Sequence, residues 1–142
     1  MTEKMQADLN LAKQRLIQKN LSLVIAKNGR VLFETESHGI NGLLKAIKQL
    51  QDNMAGSSVA DRIVGRAAAL LLVYSGVVAV FAVTASDSGI EVLKNNHVFH
   101  EFERRVPRIL DSKKVDVCPF ERLVAKFSDP KEAYEELKAR CT

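Results

Sequence analysis

Ser58-Val59-Ala60-Asp61-Arg62-Ile63-Val64-Gly65-Arg66-Ala67-Ala68-Ala69-Leu70-Leu71-Leu72-Val73-Tyr74-Ser75-Gly76-Val77-Val78-Ala79-Val80-Phe81-Ala82-Val83 is the stretch on which the fold turns. Ser58 to Asp61 has the spacing of a capping box. The sequence therefore predicts a helix with Asp61 in its first turn, running through Ala67 to Leu72 as far as about Tyr74. Such a helix is apolar nearly all round and belongs at the centre of the molecule. Ser75-Gly76 ends it, and Val77 to Val83 follows as a continuous apolar run of the kind buried on both faces of a parallel sheet. Taken as one block, Ala67 to Val83 invites a membrane span, but it falls short of the ~20 residues that a bilayer requires. It also breaks at Ser75-Gly76 and changes midway from helix formers to strand formers. Helix followed by strand is the better reading, and no membrane partner is expected.

Upstream, Met5, Leu9, Ala12 and Leu16 recur at helical spacing between Glu3 and Gln18, which predicts an amphipathic N-terminal helix. Leu21 to Lys27 and Arg30 to Thr35 flank Asn28-Gly29, whose residues supply the two positive-φ positions of a type I′ turn, so a β-hairpin is expected. A helix opening at Gly39 or Asn41 runs to about Gln51, with Leu43, Leu44, Ile47 and Leu50 on one stripe. Downstream, Ser86-Asp87-Ser88 caps a short helix through Lys94. Between His97 and Leu110 the apolar residues fit neither period, and Pro107 confines any strand there to an edge. Residues 95–117 are left as a strand with a long loop bordering the cleft. Cys118-Pro119 opens a helix to about Phe127, and Asp129-Pro130 caps a last one over Lys131 to Arg140. This order describes an α/β protein, a three-layer α-β-α arrangement with a mixed sheet. It forms a single domain over residues 1–142, with an N-terminal helix (1–19), a core (20–127) and a C-terminal helix (128–142).

The composition suits one ordinary globular core: 142 residues, 46% hydrophobic and 27% charged, with three prolines. Two cysteines, Cys118 and Cys141, make no disulfide framework, and the charged N-terminal segment has no signal-peptide pattern, so a cytoplasmic protein is expected. Lys and Arg number 21 against 17 Asp and Glu, a net charge of +4 that does not by itself mark a nucleic-acid binder. Arg104, Arg105, Arg108, Lys113 and Lys114 cluster, but Glu103 and Asp111 interrupt them and aromatic residues do not alternate with them, so they read as solvated surface.

The chemistry-bearing candidates are few. Cys118, just before a proline, is placed for a helix N-terminus, whose unpaired amides favour a thiolate. Asp61 and Glu121 each fall in a helical first turn on this reading, where a carboxylate serves either the helix dipole or a site. Gly65 then lies mid-helix at a cost of ~1 kcal/mol, so something must approach its backbone closely, either a packing neighbour or a ligand. Arg62 and Arg66, four apart, are able to grip a phosphate or to solvate an edge. His38, His97 and His100 lack the spacing of metal ligands and are read as surface or loop residues.

Asp61-Arg62-Ile63-Val64-Gly65-Arg66-Ala67-Ala68-Ala69-Leu70, followed by Cys118-Pro119-Phe120-Glu121, resembles a prokaryotic branch of the cytidine-deaminase-like superfamily described only as a domain of unknown function. The resemblance covers roughly residues 20–127. It implies a cleft between two helix N-termini, where family deaminases hold zinc through a His/Cys-Ala-Glu triplet and a Pro-Cys-x-x-Cys motif. The triplet falls near Ile63-Val64-Gly65, which offers neither ligand nor proton shuttle. Cys118 matches the first cysteine, Glu121 stands where the second belongs, and the proline follows the cysteine. No metal and no cofactor are therefore expected, and the ligand count speaks against a classical zinc deaminase. The leading expectation is a protein that binds a nucleotide-like or other anionic small molecule between Asp61 and Cys118, with Arg62, Gly65 and Arg66 lining the site. The alternatives are an enzyme with Cys118 as nucleophile supported by Asp61 or Glu121, and a structural homo-oligomeric subunit.

Overall fold

A computed structural model describes residues 2–111, 113–114 and 117–141. The elements follow in the order α1 (Glu3–Gln18), β1 (Leu23–Lys27), β2 (Arg30–Thr35), α2 (Ile40–Leu50), β3 (Ser58–Val64), α3 (Arg66–Tyr74), β4 (Ala79–Ser86), α4 (Asp87–Asn95), β5 (Phe99–Val106), α5 (Pro119–Val124) and α6 (Pro130–Cys141), with a short 3₁₀ turn at Gln51–Met54. The strands form one five-stranded mixed sheet in the order β2-β1-β3-β4-β5. β1 runs antiparallel to both β2 and β3, whereas β3, β4 and β5 run parallel through helical crossovers.

The α/β class and the mixed sheet are as the sequence predicts; β4 runs over Ala79–Ser86 rather than Val77 to Val83, α5 ends at Val124 rather than about Phe127, and one assignment is overturned. Ser58–Val64 is not the start of a helix but the central strand β3, and α3 begins only at Arg66. The capping-box spacing is coincidental. Val59 and Ala60 point to opposite faces, and each joins a different core. What hid the strand is the charged pair Asp61-Arg62, which a central strand rarely carries. Asp61 and Arg62 consequently do not lie in a helical first turn, and Arg62 and Arg66 do not share a helical face.

The sheet separates two cores. On one face α1 alone covers Val24, Ala26, Ala60, Ala79 and Phe81 with Leu9, Ala12 and Leu16. On the other, α3 lies at the centre with Ala67 to Leu72 all buried, packed with α2, α4, α5 and α6 over Ile25, Val59 and Val80. The all-round apolar pattern thus had the right meaning even though its first turn was misplaced. The hairpin turn forms as expected, with Asn28 and Gly29 both at positive φ (55° and 77°). Buried Asp8 reaches across from α1 to accept the N–H groups of Asn28 (3.1 Å) and Gly29 (2.9 Å), tying helix to hairpin in a way its surface-like sequence position did not suggest. Among the described residues no helix is long and apolar enough to cross a membrane.

Candidate functional site

The parallel strands β3, β4 and β5 deliver their C-terminal ends to one side of the sheet, where α3 and α5 also begin. Gly65 is the residue before the first turn of α3. The first amides of a helix have no partner inside it and require an acceptor from elsewhere. Glu121, in the first turn of α5, supplies it: Oε1 accepts the Arg66 N–H and Oε2 the Ala67 N–H, both at 2.7 Å. One side chain thus caps the N-terminus of a helix that lies far away in sequence, and its charge complements the positive end of that helix.

The close approach expected at Gly65 is real, and the approaching groups belong to the protein. A Cβ there would lie 2.2 Å from Glu121 Oε1, 2.7 Å from Glu121 Cδ and 2.7 Å from Ile109 Cγ1. Ile109, which no motif singled out, closes the seat from the loop after β5. Its carbonyl also accepts the Cys118 N–H at 3.0 Å, so this loop, Cys118 and the start of α5 are joined.

Arg66 braces the other end of α5. Its Nε donates to the carbonyls of Val124 (3.2 Å) and Phe127 (3.1 Å), Nη1 donates to Ser88 Oγ (3.1 Å), and Nη2 also donates to the Phe127 carbonyl. Helix α5 is therefore held at its start by its own Glu121 on α3 and at its end by Arg66 from α3. Arg62 acts elsewhere: it donates to the carbonyls of Leu21 (2.8 Å) and Leu16 (3.3 Å) and to Asn20 Oδ1 (3.2 Å), closing the C-terminal end of α1. Both arginines that sequence spacing offers to a phosphate are engaged with backbone carbonyls.

Cys118 stands where expected, immediately before Pro119 in the first turn of α5, and is half-buried. Among the described residues no hydrogen bond or ion pair joins it to Asp61 or to a histidine, so it has no partnered base. Asp61 sits in β3 in register with Leu23 and Ala82. Its Oδ1 accepts the Ile63 N–H at a long 3.4 Å. The side chain keeps partial surface exposure, yet its surroundings are protein, and burial pushes its pKa up to about 7 from the ordinary 3.8, against backbone hydrogen bonds from Ile63 and Arg62 that lower it.

That shift has a signed consequence. The folded state holds the Asp61 proton more tightly than the unfolded chain does. Its contribution to stability is therefore complete below pH 4, falls as pH rises to about 7, and is constant above. Asp61→Asn should remove this slope and stabilise the protein at pH 8 by on the order of 1–2 kcal/mol, a discounted figure because the group is not wholly enclosed. Urea midpoints of wild type and variant measured between pH 4 and 8 check it. Parallel curves over that range would show that Asp61 is ionised in the fold.

Two surface depressions lie away from this region. One, of about 450 Å³, is lined by residues including Arg15, Phe33, Glu34 and Lys45. The other, of about 550 Å³, is lined by residues including Met5, Val78, His97 and Phe99.

The same site residues fall within a recognised family. The family described as Domain of unknown function (DUF1893) matches residues 11–140. The chain belongs to the DUF1893 family. The crystal structure of a DUF1893 family protein from Thermotoga maritima superposes with a TM-score of 0.88 at 26% identity, covering 99% of this chain and 92% of that one. RibD from Acinetobacter baumannii gives a TM-score of 0.50 at 21% identity over 70% of this chain and 34% of its own. The dCMP deaminase of cyanophage S-TIM5 gives 0.47 at 18% identity over 75% and 100%. Comparison with curated proteins gives no match. The DUF1893 fold is cytidine-deaminase-like, and these likenesses concern fold alone.

The donor set of this DUF1893 protein does not fit the zinc of deaminases. Ile63, Val64 and Gly65 carry no ligand, Cys118 is the one thiol at the motif positions, and both oxygens of Glu121 are committed to backbone amides. Among the described residues no three His, Cys, Asp or Glu side chains are grouped to hold a metal ion. His38 lies beside Ser22 Oγ (3.5 Å), His97 in the turn before β5 and His100 within β5. The Glu121 carboxylate instead joins the starts of the two helices.

Proposed function

We propose that this DUF1893 protein is a metal-independent binding module for a nucleotide-like or other anionic small molecule. In open α/β sheets, ligands bind outside the carboxyl ends of the parallel strands. The observation that carries the reading is that β3, β4 and β5 end together beside exposed Arg104 and Arg108, with Arg105 next to them paired to Asp87 at 2.6 Å. Because Glu121 and Ile109 occupy the place above Gly65, the ligand sits beside that seat rather than in it. Arg62, Gly65 and Arg66 shape the floor through the backbone they hold. The ligand's negative charge is met by the exposed guanidinium groups of Arg104 and Arg108, which on this reading are recognition groups rather than solvated surface.

The test is thermal unfolding with a panel of nucleoside mono-, di- and triphosphates and inorganic phosphate. A ligand at about a hundred times its dissociation constant stabilises by about 2.7 kcal/mol, a clear rise in Tm. Arg108→Ala, an exposed change, is expected to reduce that rise without altering the unliganded Tm. Absence of a shift with every compound overturns the proposal, as does a shift that Arg108→Ala leaves untouched.

A further inference from the structure

Near their carboxyl ends the three parallel strands carry a row of side chains that the helices leave uncovered. Ile63 of β3 pairs in register with Thr84 of β4, and Thr84 with Arg104 of β5. Residues in register on neighbouring parallel strands send their side chains to the same side of the sheet, so these three stand abreast at strand spacings of about 4.8 Å. Ile63 is 53% exposed, Thr84 is half-buried and Arg104 is exposed. Ile63 is the one apolar residue of β3 in the open, for Val59, Ala60 and Val64 are wholly covered. The Thr84 hydroxyl and the Arg104 guanidinium make no hydrogen bond or ion pair among the described residues. Their neighbours are engaged: Arg105 is paired with Asp87, and Arg62 is taken up by backbone carbonyls.

The order across the row is apolar side chain, hydroxyl, cation. A bare anion would use only the last of these. We propose that the anion bound at these strand ends is a phosphate monoester laid across the strands, with its phosphate on Arg104, a hydroxyl of its polar middle on Thr84 and an apolar ring on Ile63. This rests on the reading of the strand ends as an anion site, and it makes Ile63 and Thr84 the residues that select among anions. The guanidinium fork matches two phosphate oxygens, the threonine hydroxyl both donates and accepts, and a ring seated on Ile63 removes apolar surface of both from water. From Ile63 to Arg104 is two strand spacings, about 10 Å, a span that the ring, sugar and phosphate of a nucleoside monophosphate cover in that order.

Amide chemical-shift titration with inorganic phosphate, ribose phosphate and adenosine monophosphate adds the three parts in turn. In wild type the affinity should rise about fivefold at the sugar and about tenfold again at the ring, with the adenosine compound shifting the amides around Ile63, Thr84 and Arg104. Arg104→Ala should weaken all three compounds about tenfold or more. Thr84→Val should remove the step at the sugar and Ile63→Ser the step at the ring, each leaving inorganic phosphate unchanged. Ile63 and Arg104 are exposed and valine keeps the branched shape of threonine, so the three variants should retain the circular dichroism and unliganded Tm of wild type. Equal affinity for the three compounds, or steps that T84V and I63S leave in place, overturns this inference while the anion site stands. Binding of none of the three overturns both.

Discussion

Gly65→Ala should destabilise the protein by about 3 kcal/mol, the sum of an overpacking cost of about 1–3 kcal/mol and a loss of charge-assisted hydrogen bonds of similar size. The new methyl would fall 2.2 Å from Glu121 Oε1 and 2.7 Å from Ile109 Cγ1. A long side chain usually swings away from such an intruder at little cost. Glu121 is not free to do so, because each of its oxygens accepts a helix amide at 2.7 Å. If Glu121 moves, the first turn of α3 loses both acceptors; if it stays, Ile109 and the loop it anchors must move instead. At this chain length the change corresponds to a fall in Tm of about 10 °C. Gly65 is not at positive φ, so none of the loss comes from backbone conformation. Calorimetry on the two proteins decides it: a Tm within about 2 °C of wild type would show that the seat is looser than described.

How much of this was legible beforehand depends on what kind of signal each residue carried. Periodicity and turn chemistry are local, and they placed α1, the hairpin, α2, β4 and α4 and the openings of α5 and α6 correctly. β3 was lost because its signals conflict: a capping-box spacing and a charged pair overlie a short apolar alternation, and tertiary burial prevailed over both. The charged pair persists in a central strand because Arg62 is absorbed by the carbonyls at the end of α1, a contact forty residues distant that no local pattern encodes. Gly65 was the most legible site residue. The demand for a close neighbour held even after its helix start moved, although whether that neighbour was ligand or protein depended on residues 109 and 121. Glu121 was legible as a departure from the zinc pattern, but its role as a cap on α3 required the meeting of two helix starts. The strand and long loop expected over residues 95–117 are there as β5 and the segment after it, but the place of Ile109 above Gly65 is not legible, because filling space has no period.

Glu121→Ala should cost about 3 kcal/mol, and Glu121→Gln about half as much. Removal of the carboxylate strands two amides at the start of α3, each worth about 1 kcal/mol or more when buried without an acceptor. It also removes a negative charge from a helix N-terminus, worth up to about 1 kcal/mol, and frees the start of α5 from α3. Glutamine keeps the length and one acceptor but turns an NH₂ group toward an amide donor, so it retains one hydrogen bond of the two. The order wild type, Gln, Ala in urea midpoint is therefore the expected result, and equal midpoints for Gln and wild type would deny the two-pronged cap. A double-mutant cycle makes the test sharper. In the absence of the Glu121 side chain the Gly65→Ala methyl loses its clash with the carboxylate and keeps the one with Ile109 Cγ1, so G65A/E121A should be less destabilised than the sum of its parts by about 1–2 kcal/mol. Strict additivity would mean that Gly65 is not small for the sake of Glu121. Coupling of that size would mean that glycine at 65 and glutamate at 121 are one device, in which a carboxylate from α5 holds the opening of α3 closed.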